Sequence, residues 1–134
     1  MIGVLLVTHG DIGTSLLTSA TQILGGEQKQ VATLSVWRAD DIDDLVLRAR
    51  ELMESLDSGD GVLMLTDIFG ATPGNVVSRL LEDGRIEGVS GASLPMLLRV
   101  LTGRNGSLAA AIKRAVTGGA EGVVHMNRDR CCDA

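Results

Sequence analysis

The chain has 134 residues, 45% of them hydrophobic, enough for one domain with a full core. It carries a formal charge of −5, a single Phe, a single Trp and no Tyr. That balance excludes the basic, base-stacking surface of a nucleic-acid binder and disfavours an anionic membrane surface.

No apolar run approaches the ~20 residues of a membrane-spanning helix, so no direct membrane insertion is expected. Met1-Ile2-Gly3 leads straight into an apolar strand without a charged leader, so no signal peptide is expected. Cys131 and Cys132 are adjacent and almost terminal. They are expected to be reduced thiols of a cytoplasmic protein, neither a disulfide framework nor metal ligands.

The first element is Ile2-Gly3-Val4-Leu5-Leu6-Val7-Thr8-His9-Gly10, an apolar run that ends in a polar triplet. Its length and unbroken apolarity suit a central strand covered on both faces. Ile12, Leu16, Leu17, Ala20, Ile23 and Leu24 then recur at helical spacing, closed by Gly25-Gly26. Val31 to Trp37 reads as the second strand. The acids of Asp40-Asp41-Ile42-Asp43-Asp44 open the second helix, which suits its dipole. Gly61 to Asp67 repeats the opening pattern as the third strand. Thr72 is expected as an N-cap and Pro73 as the first helical residue of a helix ending near Gly84. Ile86 to Ser90 reads as the fourth strand. Two helices follow, one from Leu94-Pro95-Met96 and one from Ser107 to Val116 closed by Gly118-Gly119. Val123 to Met126 is expected as a short last strand. Residues 1–126 are read as one domain and 127–134 as a flexible polar tail.

Strands alternating with helices imply an α/β, doubly wound, mostly parallel sheet with helices on both faces. Ligands of such sheets collect beyond the carboxyl ends of the strands. Three polar turns stand there: one with His9, one with Asp67 and Thr72, one with Ser93 and Met96. If the first and third strands are neighbours, His9 and Asp67 meet. A carboxylate that accepts the proton of one imidazole nitrogen leaves the other as a nucleophile. Thr72 and the helix behind it would face the same spot, which favours an anion. Together these residues suggest a phosphoryl group accepted on His9. The same residues also serve structural ends, since an Asp or Thr at a strand end is often a helix cap. His125 is read as structural. Trp37, beside Arg38, is read as either a rim or a packing residue.

The motifs Val7-Thr8-His9-Gly10, Leu63-Met64-Leu65-Thr66-Asp67-Ile68-Phe69-Gly70-Ala71-Thr72-Pro73-Gly74-Asn75 and Gly91-Ala92-Ser93-Leu94-Pro95-Met96-Leu97 carry a resemblance. In this order and spacing they resemble the mannose-type enzyme IIA component of the bacterial phosphoenolpyruvate-dependent sugar phosphotransferase system (PTS). The resemblance covers residues 1 to about 126 and implies a four-stranded sheet of order 2-1-3-4, with the short C-terminal strand at an edge. It implies a phosphocarrier enzyme: His9 is the phosphorylated nucleophile and Asp67 orients it. Thr72 holds the phosphoryl group with Gly10 and Thr66, while Phe69, Ser93 and Met96 make rim or partner contacts. The implied donor is the phosphocarrier protein HPr and the implied acceptor a histidine of a IIB component. A homodimer, and association with a membrane permease through IIB, are implied as well. No metal or other cofactor is expected. Two departures stand out: Gly70-Ala71 replaces the usual Gly-Gly, and Ser93 replaces an Asn. A relay for sugar uptake and a regulatory IIA read by partner proteins both fit the resemblance.

Three rivals differ in kind. A histidine phosphatase would place Arg directly before the His-Gly pair to clamp phosphate, and here Thr8 stands there. A chelatase-like metal protein would need ligands beyond His9 and His125. A docking module would leave His9 unreactive.

Overall fold

The structure is a computed structural model and describes residues 1–128. Four strands form one sheet: β1 (Gly3–His9), β2 (Val31–Val36), β3 (Val62–Thr66) and β4 (Ile86–Ser90). Five helices connect and cover them: α1 (Ile12–Leu24), α2 (Ile42–Leu56), α3 (Thr72–Ser78), α4 (Leu94–Leu101) and α5 (Leu108–Glu121). The order is β2-β1-β3-β4 and every strand pairing is parallel, as the family resemblance implies.

Successive strand residues point to opposite faces, so β1 feeds two cores. Leu5 and Val7 pack with Met64 under α2 and α3. Val4 and Leu6 pack with Leu63 and Leu65 under α1, α4 and α5. All of these side chains are fully buried, and each such aliphatic group contributes about 1.5–3 kcal/mol. The chain passes from β1 outward to β2, then back across β1 to β3 and on to β4. Right-handed crossovers therefore place α1 on one face and α2 and α3 on the other. The direction of winding reverses between β1 and β3, and a crevice opens at their carboxyl ends.

Four local expectations need correction. Ala71, not Thr72, is the N-cap of α3: its carbonyl accepts the Asn75 N–H at 2.9 Å, and Thr72 is the first helical residue. The helix also ends at Ser78, well short of Gly84. At the other end of the chain, Gly118-Gly119 does not close α5, which runs on to Glu121. These glycines serve packing. A Cβ at Gly118 would stand 2.6 Å from Arg99 Cγ, and one at Gly119 would stand 2.9 Å from Met96 Cε. Gly122 continues the contact, with its Cβ position 2.6 Å from Pro95 Cβ. The chain thus leaves α5 against the start of α4. Val123–Met126 forms no strand; Val123 is 85% exposed and His125 lies in this exposed segment. The expected edge strand is absent among the described residues. Most of the expected tail, including Cys131 and Cys132, lies outside them.

The opposite end of the sheet is tied by Arg104, which is only 5% exposed. Its Nη1 donates to the Lys29 carbonyl at 2.6 Å, while its own carbonyl accepts the Ile2 N–H at 3.1 Å. Burial lowers the pKa of this guanidinium from its ordinary value.

Candidate active site at the β1–β3 crevice

β1 outruns β3. Val7 pairs with Thr66, the last residue of β3, whereas His9 still pairs with Val36 on the β2 side. His9 is therefore the last strand residue on the open flank, with its side chain half exposed, and Asp67 is the first residue beyond β3. The Asp67 carboxylate is mostly buried. Its Oδ2 lies 2.8 Å from His9 Nδ1 and also accepts the His9 backbone N–H at 3.3 Å. A carboxylate accepts only, so the shared proton belongs to Nδ1, and Nε2 keeps the lone pair.

The supports of this pair are local. Thr8, 1% exposed, turns its hydroxyl to the Gly13 N–H at 2.8 Å and so fastens β1 to the first turn of α1. Asp11, the N-cap of α1, makes no side-chain cap bond, and Thr8 supplies that acceptor instead. Local sequence marks Thr8 only as part of the Val7-Thr8-His9-Gly10 motif. The signal available was a hydroxyl five residues before a glycine in a helix's first turn. Gly10 takes φ of +47°, a conformation that glycine adopts without a Cβ penalty. Its N–H donates to the Val36 carbonyl at 2.9 Å. Thr66 is 4% exposed and its hydroxyl donates to Asp67 Oδ1 at 3.4 Å. Gly10 and Thr66, expected to hold a phosphoryl group, have these hydrogens engaged with Val36 and Asp67.

The three turns do converge. The Ala92 N–H donates to the Thr66 carbonyl at 2.9 Å, which joins the turn after β4 to the end of β3. Ser93 Oγ caps α4 by accepting the Met96 N–H at 3.3 Å. Met96 itself is 3% exposed and belongs to the core beneath α4, so it is not a rim residue. Apolar burial outweighs its position beside a polar turn. Phe69 does stand on the rim, 83% exposed, with Ile68 at 55%. Thr72 is exposed at the start of α3, and no hydrogen bond joins it to His9 or Asp67. Among the described residues, no group of three His, Cys, Asp or Glu side chains is arranged to hold a metal ion.

Chemically, the arrangement offers one exposed imidazole with a fixed tautomer and a carboxylate behind it. That suits a nucleophile which must carry a transient positive charge.

Comparison with known proteins agrees with this geometry. A family model described as "PTS system fructose IIA component" matches residues 3–117. The chain is 33% identical over 103 residues to the PTS system fructose-specific EIIA component of Bacillus subtilis (strain 168), covering 76% of this chain and 70% of that one. It is 32% identical over 125 residues to the PTS system mannose-specific EIIAB component of Escherichia coli (strain K12). That match takes in 91% of this chain but 38% of the relative, so the chain spans about two fifths of the relative's length. Among solved structures, the phosphotransferase system component EIIA from Streptococcus agalactiae superimposes with a TM-score of 0.85 at 25% identity, covering 96% of this chain and 100% of that one.

Proposed function

Because the chain belongs to the mannose/fructose-type IIA family of the sugar phosphotransferase system, we propose that His9 is its phosphorylated residue. It takes the phosphoryl group from phospho-HPr and passes it to a histidine of a IIB component for sugar uptake. The single observation that carries this reading is the 2.8 Å contact between His9 Nδ1 and Asp67 Oδ2.

The step follows from that contact. The Nε2 lone pair attacks phosphorus in line with the donor's P–N bond. That bond breaks as the new one forms, and the donor imidazole leaves with the electron pair. Nδ1 keeps its proton throughout, and the positive charge that develops on the ring faces the Asp67 carboxylate. Passage to IIB is the same exchange in reverse, with His9 as leaving group. Exposed Phe69 at the rim gives a partner protein an apolar hold beside the reacting ring, with the Ser93 turn on its flank. Thr72 is the hydroxyl of this reading that steadies the transferred group. A homodimer, a cytoplasmic site of action and contact with a membrane permease through IIB belong to it as well.

Intact-mass analysis after incubation with phosphoenolpyruvate, enzyme I and HPr tests the proposal. One acid-labile phosphoryl group, absent from His9→Ala, is expected. Full labelling of His9→Ala would refute the site. No gain on the wild-type chain, with a control IIA labelled in the same tube, would refute the phosphocarrier reading.

A further inference from the structure

Trp37, the chain's one tryptophan, is 54% exposed yet firmly placed. It follows Val36, the β2 residue that pairs with His9, so it lies alongside Gly10 across the β1–β2 junction. A Cβ on Gly10 would stand 3.1 Å from Cζ3 of the indole and 3.3 Å from Cη2. One edge of the indole therefore lies close beside Gly10, so that a side chain there would press on the ring. The main chain of Trp37 is fixed from both sides: its N–H donates to Asp40 Oδ2 at 2.8 Å, and its carbonyl accepts the Asp40 N–H at 3.0 Å. Gly10 in turn is bonded to the Val36 carbonyl, one residue before Trp37.

From this geometry we infer that Trp37 is a positioning residue for phosphoryl transfer at His9, acting through Gly10. The inference rests on the proposed role of His9. Asp67 fixes the ring and the amide of His9 from the β3 side. The peptide that leaves His9 is held on the β2 side, where the Gly10 N–H donates to the Val36 carbonyl, and the chain then turns through glycine at positive φ. The indole restricts that turn from the β2 side. Asp67 then holds His9 itself while the indole steadies the residue that follows it, and Nε2 keeps one direction toward the incoming phosphorus. Misplacing a reacting atom by about 1 Å costs roughly 10²-fold in rate, so a brace that removes part of such freedom has a measurable effect.

The test compares wild type, Trp37→Ala and Trp37→Phe in rapid-quench labelling at varied phospho-HPr, with Gly10 amide exchange measured by NMR. For Trp37→Ala we expect a limiting rate about tenfold lower and a half-saturating donor concentration changed by less than about threefold. Trp37→Phe, which keeps an aromatic plate, should regain most of the rate. Gly10 amide exchange should quicken in Trp37→Ala. A wild-type limiting rate in Trp37→Ala overturns the inference while leaving His9 as the phosphorylated residue. So does a loss confined to half-saturation, which would make Trp37 a docking residue, or an equal loss in both variants. If the wild-type chain is never labelled, the proposed function fails by itself. The brace is then judged by Gly10 exchange, and unchanged exchange overturns it too.

Discussion

Asp67 grips His9 twice with one oxygen: Oδ2 lies 2.8 Å from the ring Nδ1 and 3.3 Å from the backbone N. The ring cannot rotate away without losing the first contact, and the strand end cannot shift without losing the second. One carboxylate thus couples the rotamer of the nucleophile to the position of its main chain.

Asp67→Asn keeps the shape of that grip and removes its charge. The amide oxygen can still accept from Nδ1, but it no longer offsets the positive charge that develops on the ring. The initial rate of phosphoryl incorporation should fall by roughly 10²-fold, while the urea midpoint stays within the range of an ordinary surface substitution. A wild-type rate in Asp67→Asn would remove the electrostatic role from the mechanism.

Asp57 gives the fold an acid-sensitive joint. Its carboxylate accepts the Gly59 N–H at 2.9 Å and the Gly61 N–H at 3.2 Å, and Arg85 Nε donates to it at 3.1 Å. The Gly59 bond is the largest cause of a pKa held below the usual aspartate range, with Gly61 and Arg85 adding to it against a smaller opposing effect of burial. A carboxyl whose pKa is depressed on folding stabilises the native state above its unfolded pKa, about 3.9. That contribution is lost as pH falls below this value and through the lower folded pKa. Unfolding midpoints of wild type and Asp57→Asn should therefore differ most near neutrality and converge in acid. A gap that stays constant from neutral pH to pH ~3 would contradict this account.

Gly118→Ala sets propensity against packing. Helix propensity alone predicts a gain of about 1 kcal/mol, because alanine replaces glycine inside α5. The new Cβ would stand 2.6 Å from Arg99 Cγ and 2.9 Å from Arg99 Cβ, so α4 and α5 must part. Overpacking of this kind costs about 1–3 kcal/mol, and we expect a net loss in the urea midpoint. A net gain would show that the two helices do not press on this glycine.

Alternation of buried strands with amphipathic helices was legible in the sequence, because it depends on periodicity along one segment at a time. So was the placement of His9 and Asp67, since each directly ends an apolar run of strand length. The misreadings share one cause. Gly118-Gly119 and Thr72 were judged by local preference, glycine as a helix stop and threonine as a cap. For the glycines the answer lay outside their own helix, where Arg99 and Met96 of α4 press on them, while the cap of α3 falls one residue earlier, on Ala71. Met96 was assigned to the rim because it follows a polar turn, yet its helix turns it inward to Gly119 and the core.

By itself, then, the sequence determined the four strands and five helices, though not that Val123–Met126 forms no strand, and it placed one histidine and one aspartate at strand ends. Hydrophobic period and turn chemistry act within a few residues, so they can be read without coordinates. Only the tertiary structure decided that both contacts of His9 fall on one oxygen of Asp67, that Gly10 and Thr66 have their hydrogens engaged with Val36 and Asp67, and that Trp37 lies against Gly10. Each of these depends on the register between strands and on distances set by two packed cores. Such distances are properties of residues far apart in sequence, and no single segment encodes them.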